Sequence, residues 1–303
     1  MKKNQKTFRL LATAFLFAMA AFVTSCKKDE DPLSPEVSQT VNNESTQDSQ
    51  QDEVDDIATA QLTVSDPAGR IATTEDGRVT CAKITVADTV RNADHKLISG
   101  TILIDFDTKP NGDPNPDGCT DAKGNKRKGK ISIHWEGGRW FHVGAIITIT
   151  LNNYSINGVV INGTRSLHNV TTNILMPTWT VTAEHTATWP NGDTASRTVH
   201  KTRVWNIAAG TITVTKTDGA DNAASGTNRH GTSYTVQITA GVVFKLSCAD
   251  NKVYLPVSGT KVITFNSKVV TIDFGSGDCD NTFTVTFDNK SRVVTAKNDD
   301  SAD

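Results

Sequence analysis

The sequence predicts an all-β protein, an elongated antiparallel meander of about 14 strands that forms a sandwich-like or partly closed twisted sheet. Apolar or bulky residues recur two apart in segments such as GTITVTKT and TFTVTFDN, with Thr and other polar residues between them. Asn-Gly and Asp-Gly pairs, which favour the tight turns of hairpins, separate several of these segments. No convincing run shows the 3.6-residue period of a helix. A signal peptide and a disordered tether are expected to precede this domain.

Residues 1–25 predict the signal peptide. Four basic residues and no acidic one come before or at the start of the apolar run from Leu10 to Val23. That run is shorter than the roughly 20 residues of a membrane-spanning helix. It leads into the letters VTSC, which end at Cys26 and resemble a bacterial lipobox. The resemblance implies that Cys26 is lipidated and that its acyl chains anchor the protein in a membrane. A plain secreted protein is the alternative.

Residues 26–57 predict a disordered acidic tether. Ten acidic residues and two lysines lie between residues 27 and 57, with no aromatic residue and few branched apolar ones. Such a segment buries too little apolar surface to offset the entropy lost on ordering. The run from Lys27 to Asp31 resembles the export signal of surface lipoproteins in the Bacteroidetes group. It implies an outer-membrane protein that faces the exterior, and the alternative is a merely soluble start of the linker.

The charge balance argues against a nucleic-acid partner. The chain holds 31 basic and 33 acidic residues, and the part after residue 57 is close to neutral. No basic field is therefore available to bind a phosphate backbone. The expected partners are the membrane, through the lipid, and a glycan or another surface protein.

The β domain is expected at residues 58–298, followed by a disordered tail at 299–303. Two segments of it, about 79–135 and 246–290, look related, because each contains Ser-Gly-Thr, Ile-Asp-Phe and a cysteine after a glycine-containing turn. Exported cysteines meet an oxidising compartment, and four of them allow three pairings. The repeat selects Cys81 with Cys119 and Cys248 with Cys279. A redox or metal site is the alternative, although no Cys-x-x-Cys occurs.

The runs ASGTNRHGTSYTVQIT, SGTKVITF, IDFGSGDCDNTFTVTF and GCTDAKGNKRKGKISI resemble a widespread family of uncharacterised Bacteroidetes outer-membrane or surface lipoproteins. The resemblance covers most of residues 80–290. It implies a lipid-anchored envelope protein and carries over no catalytic residue, because the family has none assigned. The chain departs from the family pattern in the longer insert TKPNGDPNPDG before Cys119.

That insert suggests a calcium loop. Asp113, Asn115 and Asp117 alternate with prolines, a glycine follows, and Asp121 falls at the ninth position. This spacing is typical of the front half of a loop that offers several oxygen ligands to Ca²⁺. The twelfth position holds Gly124 instead of the usual bidentate Glu. The alternative is an ordinary turn with solvated acids.

Tryptophan suggests a second site. All five tryptophans lie between residues 135 and 205, and Trp135, Trp140 and Trp189 stand at or beside expected turns. Flat exposed rings can stack on sugar faces, so these three form a candidate glycan-binding platform. The alternative is ordinary packing in the core or across strands.

Sequence motifs for catalysis are missing. No G-x-S-x-G elbow, phosphate-binding loop or dinucleotide fingerprint appears. Glu136 and Glu184 could supply the two carboxylates of a glycoside hydrolase, but so could many surface acids. Arg197, Lys201 and Arg203 share one face of a strand, which predicts a solvated face or edge protection. The sequence therefore favours a non-enzymatic binding or structural module over a glycan-binding accessory protein, and either over a glycoside hydrolase.

Overall fold

The computed structural model describes residues 34–64, 76–122, 124–207, 212–219, 222–251, 253 and 255–295. In these residues fifteen strands form one antiparallel sheet, so the predicted all-β meander is confirmed. The strands are β1 (Lys83–Arg91), β2 (Leu97–Asp105), β3 (Cys119–Thr120), β4 (Lys126–Glu136), β5 (Ile146–Ile156), β6 (Val159–Asn169), β7 (Thr178–Thr188), β8 (Thr194–Asn206), β9 (Thr213–Asp218), β10 (Ala224–Thr227), β11 (Ser233–Lys245), β12 (Ser258–Phe265), β13 (Lys268–Ser276), β14 (Thr282–Phe287) and β15 (Lys290–Thr295).

Neighbours in the sheet are mostly neighbours in sequence. The order is β1-β2-β4-β5-β6-β7-β8-β10-β11-β12-β13-β14-β15, as consecutive hairpins produce. Two short strands share one position, because β10 pairs with one part of both β8 and β11, and β9 pairs with another part of the same two strands. The sheet therefore continues without a break from β1 to β15.

A long helix, α1 (Pro35–Val64), precedes the sheet. The predicted tether at residues 26–57 is therefore wrong for residues 35–57, which are helical. Many helix residues that looked solvated are buried, among them Glu44 at 1 % and Asp55 at 0 % exposure. The remainder of the predicted tether, the signal peptide with Cys26, and the tail at 299–303 lie outside the described residues.

Local sequence signals explain where α1 begins. The hydroxyl of Ser34 accepts a hydrogen bond from the backbone N–H of Val37 at 3.4 Å, which is the contact of an N-cap serine. Pro35 follows at the first helical position, where its missing N–H costs nothing. Glu36 places a negative charge in the first turn, where the helix dipole favours it. The letters SPE are thus a helix start.

The buried stripe of α1 has helical spacing but polar chemistry. Its members recur three or four residues apart, as one face of a helix requires. The fully or nearly buried residues are Val37, Thr40, Val41, Asn43, Glu44, Gln47, Asp48, Gln51, Val54, Asp55, Ile57, Ala58, Gln61 and Leu62. Because about half of them are charged or carry an amide, the apolar residues alone show no helical period.

Apolar side chains form two main clusters against the sheet. One lies on β2 to β8 and includes Val54, Ile57 and Leu62 from the C-terminal half of α1. The other lies on β7 to β14 and includes Val37 and Val41 from the first turns of the helix. The helix therefore crosses the strands and joins the two halves of the core.

Both predicted disulfides are present. Cys81 bonds Cys119 and Cys248 bonds Cys279, with Cα–Cα distances of 5.6 and 5.3 Å. Each bond encloses one hairpin, β1–β2 or β12–β13, so the two cysteine pairs occupy comparable places. The matching Ser-Gly-Thr motifs do not, because the first begins within β2, the second strand of its hairpin, and the second begins β12, the first strand.

Candidate functional site

The interface between α1 and the sheet is the most unusual surface in the molecule, because it is built from charges. We call it the ionic interface: six carboxylates of α1 that pair with eight cations of the sheet. The carboxylates are Glu36, Glu44, Asp48, Asp52, Glu53 and Asp55, and the cations are Arg127, Arg165, Arg197, Lys201, Arg203, Lys216, Lys261 and Lys268. Strand alternation directs the cations to one face, and helical spacing directs the acids toward them.

Arg197 is the centre of this interface and is 1 % exposed. Its guanidinium donates two hydrogen bonds to the carboxylate of Glu44, at 3.0 and 2.6 Å. It also donates to Asp48 at 3.0 Å and to the side-chain oxygen of Gln51 at 2.6 Å. These four bonds use four of the five N–H donors of the guanidinium, and such pairing keeps a buried charge tolerable.

Asp48 is shared by three cations. Besides Arg197, its carboxylate accepts from Lys201 at 2.5 Å and from Lys261. Burial by itself raises the pKa of Asp48, but the charges of Lys201, Lys261 and Arg197 outweigh it and hold the pKa well below its usual range. Burial lowers the pKa of Lys201 to about 7, with Asp48 opposing that effect and the neighbouring cations adding to it. Asp48 is therefore ionised in the folded protein at neutral pH.

The predicted solvated face on β8 is wrong. Arg197 and Lys201 are buried, and the side chain of Arg203 is only 11 % exposed. Arg203 binds Asp55 at 2.9 Å, and Asp55 also accepts two hydrogen bonds from Arg165, one of them at 2.6 Å. These cations looked solvent-facing only because their partner surface, α1, was read as a tether.

The C-terminal part of the interface reaches the predicted calcium loop. Arg127 is fully buried and binds Asp121 at 2.7 Å and Glu53 at 2.5 Å. Its guanidinium also donates to the hydroxyl of Tyr154. The carboxylate of Asp121 therefore faces a buried guanidinium, and its role as a calcium ligand stays a prediction.

The remaining calcium candidates are engaged in turn contacts or exposed. Asp113 accepts from the side chain of Asn111 at 2.8 Å, and the amide of Asn115 donates to the carbonyl of Phe106 at 3.3 Å. Asp117 is exposed. Within the described residues, no group of three or more His, Cys, Asp or Glu side chains could hold a metal ion. The loop from Asp107 to Asn125 is therefore shaped by hydrogen bonds and by the Cys119 disulfide.

The candidate glycan platform is not assembled. Trp135 and Trp189 are 4 % and 6 % exposed and belong to the core on β2 to β8. Trp140 is half-buried and stacks on Trp179, with ring centroids 6.1 Å apart. Arg229 covers the ring of Trp189, with its guanidinium carbon 4.6 Å from the ring centre. The ordinary packing role is the one that the structure supports for Trp135 and Trp189.

A small cavity lies beside the middle of α1, and its lining includes Gln47, Val54, Leu151 and His185. His185 on β7 is 5 % exposed, and among the described groups neither of its ring nitrogens has a hydrogen-bond partner. The side-chain N–H₂ of Gln47, on α1, is also buried without a hydrogen-bond partner among the described groups. The cavity leaves about 10 Å³ for the centre of a water molecule, enough for one water and too little for a sugar. Burial, assisted by Arg165 and Arg197, lowers the pKa of His185 to about 4, so the ring is neutral at pH 7.

The chemistry of this interface is attachment. Each of its six carboxylates faces at least one Lys or Arg and serves as an ion-pair partner. Glu136 and Glu184 are both exposed, on β4 and β7. Sequence reasoning missed the interface because its acids and its cations are each unremarkable when taken alone. The helix start SPE and the 3–4 spacing of acids and amides were the available signals.

Comparisons with known proteins do not assign the chain to a group. Searches against protein-family models, curated proteins and solved structures found no match. Among the described residues, no helix combines the length and the apolar character needed to cross a bilayer.

Proposed function

We propose that this chain is a lipid-anchored envelope lipoprotein, exposed on the outer membrane, whose body is a non-enzymatic binding or structural module. The proposed anchor is Cys26, at the end of the letters VTSC. Residues 27–34 then separate the anchor from α1, since the helix begins at Pro35. The helix α1, which follows the proposed anchor in sequence, packs against the sheet and belongs to the folded domain.

One observation supports a non-enzymatic body above all others. One face of the sheet is covered by α1, and the carboxylates there are paired with cations. A glycosidase needs one carboxylic acid and one carboxylate that flank an open space of about 5–10 Å. The acids of the ionic interface instead fix the helix to the sheet.

Metabolic labelling tests the anchor. Cells that express the full chain receive a labelled fatty acid, and the protein is then recovered and counted. The wild type is expected to incorporate the label, and Cys26→Ala is expected to lose it, while Cys81→Ala keeps it because that cysteine pairs with Cys119. Equal labelling of wild type and Cys26→Ala would rule out the anchor.

Protease treatment of intact cells tests surface exposure. Added protease is expected to remove the protein from intact cells, because the body would face the medium. Protection until the outer membrane is opened would place the protein on the periplasmic side.

A glycan-array screen of the soluble body tests the glycan-binding alternative. No glycan binding that depends on Trp135 or Trp189 is expected, because both rings are buried.

A further inference from the structure

The two ends of the sheet differ in chemistry. Register places the ends of β4, β6, β8 and β11 along one edge of the sheet. Glu136 pairs with Ile146, and Ile146 pairs with His168. The start of β7 connects β6 to β8, and Asn206 and Lys245 both pair with Thr213. We call this the loop end. The opposite, turn end carries short polar turns such as Asn157-Gly158, 190–193 and Asn266-Ser267.

Exposed apolar side chains concentrate at the loop end. Among the described residues eleven large apolar side chains are exposed, and eight of them lie in these loops. We call the eight the apolar rim: Phe141, Val143, Ile174, Leu175, Met176, Ile207, Ile212 and Leu246. The other three, Val90, Val269 and Val293, lie on strands. Single exposed apolar residues are ordinary, but a contiguous group marks an interaction surface.

Backbone hydrogen bonds show that the rim is continuous. The N–H of Gly144 donates to the carbonyl of Asn169 at 2.8 Å, which joins the first loop to the second. The N–H of Ile207 donates to the carbonyl of Leu175 at 3.2 Å. The N–H of Leu246 donates to the carbonyl of Ile212 at 3.0 Å. The three contacts link neighbouring loops side by side.

The loops of the rim carry little charge. The two loops that carry five of the eight side chains, 137–145 and 170–177, contain Arg139 and no acidic residue. Their tips project: Ile174 is 82 % and Val143 is 67 % exposed. Projecting apolar tips suit insertion among acyl chains, and Arg139 with the half-buried Trp140 suits the headgroup level. Glu136 is exposed at the end of β4 and directly precedes the first loop, so attraction to anionic headgroups rests on Arg139.

We propose that the apolar rim docks reversibly on an anionic lipid surface, with Val143 and Ile174 inserting and Arg139 contacting headgroup phosphates. This contact is separate from the acyl anchor proposed for Cys26, and it belongs to the folded body. It is therefore measurable in a chain that carries no lipid.

The test uses the chain from residue 27 onward, which keeps every described element. Binding is measured by sedimentation of this protein with lipid vesicles. Vesicles of phosphatidylglycerol mixed with phosphatidylcholine are expected to bind the wild type more tightly than vesicles of phosphatidylcholine alone. Val143→Asp/Ile174→Asp is expected to bind at least about 10-fold more weakly, since two apolar insertions are lost. The matched control, Val269→Asp/Val293→Asp, also replaces two exposed valines but lies outside the rim and is expected to bind as the wild type does.

Two further readouts separate insertion from simple attraction. Arg139→Gln is expected to weaken binding to the anionic vesicles and to leave binding to phosphatidylcholine unchanged. Brominated lipids are expected to quench the fluorescence of Trp140, and Trp140→Phe is expected to lose that quenching. All variants are checked for an unchanged melting temperature.

Three results would overturn the proposal. The first is no sedimentation of the wild type with either vesicle. The second is equal loss of binding in the rim variant and the valine control. The third is self-association of the wild type in solution that Val143→Asp/Ile174→Asp abolishes, together with no binding to vesicles. The rim would then be covered by a second copy of the chain.

Discussion

The two halves of α1 are held to the same sheet by ion pairs and apolar contacts in different proportions. In the N-terminal half, Glu44 and Asp48 are buried against Arg197 and its neighbouring lysines. In the C-terminal half, Ile57 and Leu62 join the apolar core on β2 to β8. Apolar burial stabilises with little regard to partner geometry, whereas a buried ion pair tolerates few partners. The C-terminal half, with Val54, Ile57, Ala58 and Leu62 in the core against Val37 and Val41 in the N-terminal half, is therefore expected to supply more of the apolar attachment.

Loss of one buried charge should have the largest effect. Arg197→Ala leaves Glu44 and Asp48 without their shared guanidinium, and a buried pair broken in this way costs about 4 kcal/mol in the free energy of unfolding. Urea unfolding followed by circular dichroism measures the change. The control is Arg197→Met/Glu44→Met, which removes the guanidinium together with Glu44, while Asp48 keeps Lys201 and Lys261; it should destabilise much less. Equal losses in the single and double variants would show that Arg197 acts by packing alone.

A cavity in the apolar half should come next. Ile57 is fully buried, so Ile57→Ala is expected to lower the free energy of unfolding by about 3 kcal/mol. The matched control is Ala60→Gly, a helix change on a partly buried residue that tests propensity without a cavity and should cost about 1 kcal/mol. If Ile57→Ala cost no more than the control, the C-terminal half would not supply more of the apolar attachment.

Acid should weaken the junction between the halves through His185. The folded protein holds the pKa of His185 near 4, below the usual 6.5, so the unfolded chain binds a proton at a pH where the folded one does not. Stability is therefore full above pH 6.5 and falls as the pH drops toward 4, by between about 2 and 3 kcal/mol from this one group.

His185→Leu should remove that part of the pH dependence. Urea midpoints at pH 7, 5 and 4 measure it, and the slope between pH 6.5 and 4 is expected to be shallower in the variant than in the wild type. Parallel slopes would mean that the ring is protonated inside the folded protein. Losses below pH 4 are expected in both proteins, because the lowered pKa of Asp48 also gives stability that disappears as the carboxylate is protonated.

The smallest effect is expected at the start of the helix. Glu36 binds Lys268 and Asn266, but both charged side chains are about one third exposed to water. Surface pairs of this kind contribute little, so Glu36→Gln should leave the urea midpoint unchanged within error. A shift as large as that of Ile57→Ala would mean that the first turn carries more of the attachment than the contacts indicate.

Much of the sheet could be read from the sequence because its signals are local. Alternation predicted strands such as β7 and β14, and glycine turns such as Asn157-Gly158 predicted hairpins. The repeat around Cys119 and Cys279 predicted the disulfides, since each bond closes one hairpin. These features depend on residues close together in the chain or on an internal duplication, so one sequence is enough to reveal them.

What only the tertiary structure decided is the state of residues 35–64. Composition alone favours disorder there, because few apolar residues are available to offset the entropy of ordering. The acids of this segment find their partners in Arg127, Arg165, Arg197 and other cations that lie far away in the sequence on several strands. These cations themselves look solvated until the helix covers them. The residues around an acid or a cation in the sequence do not indicate which distant residue it will pair with. The same reason hid the role of Asp121: its spacing suggested calcium, and only the fold brought Arg127 against it.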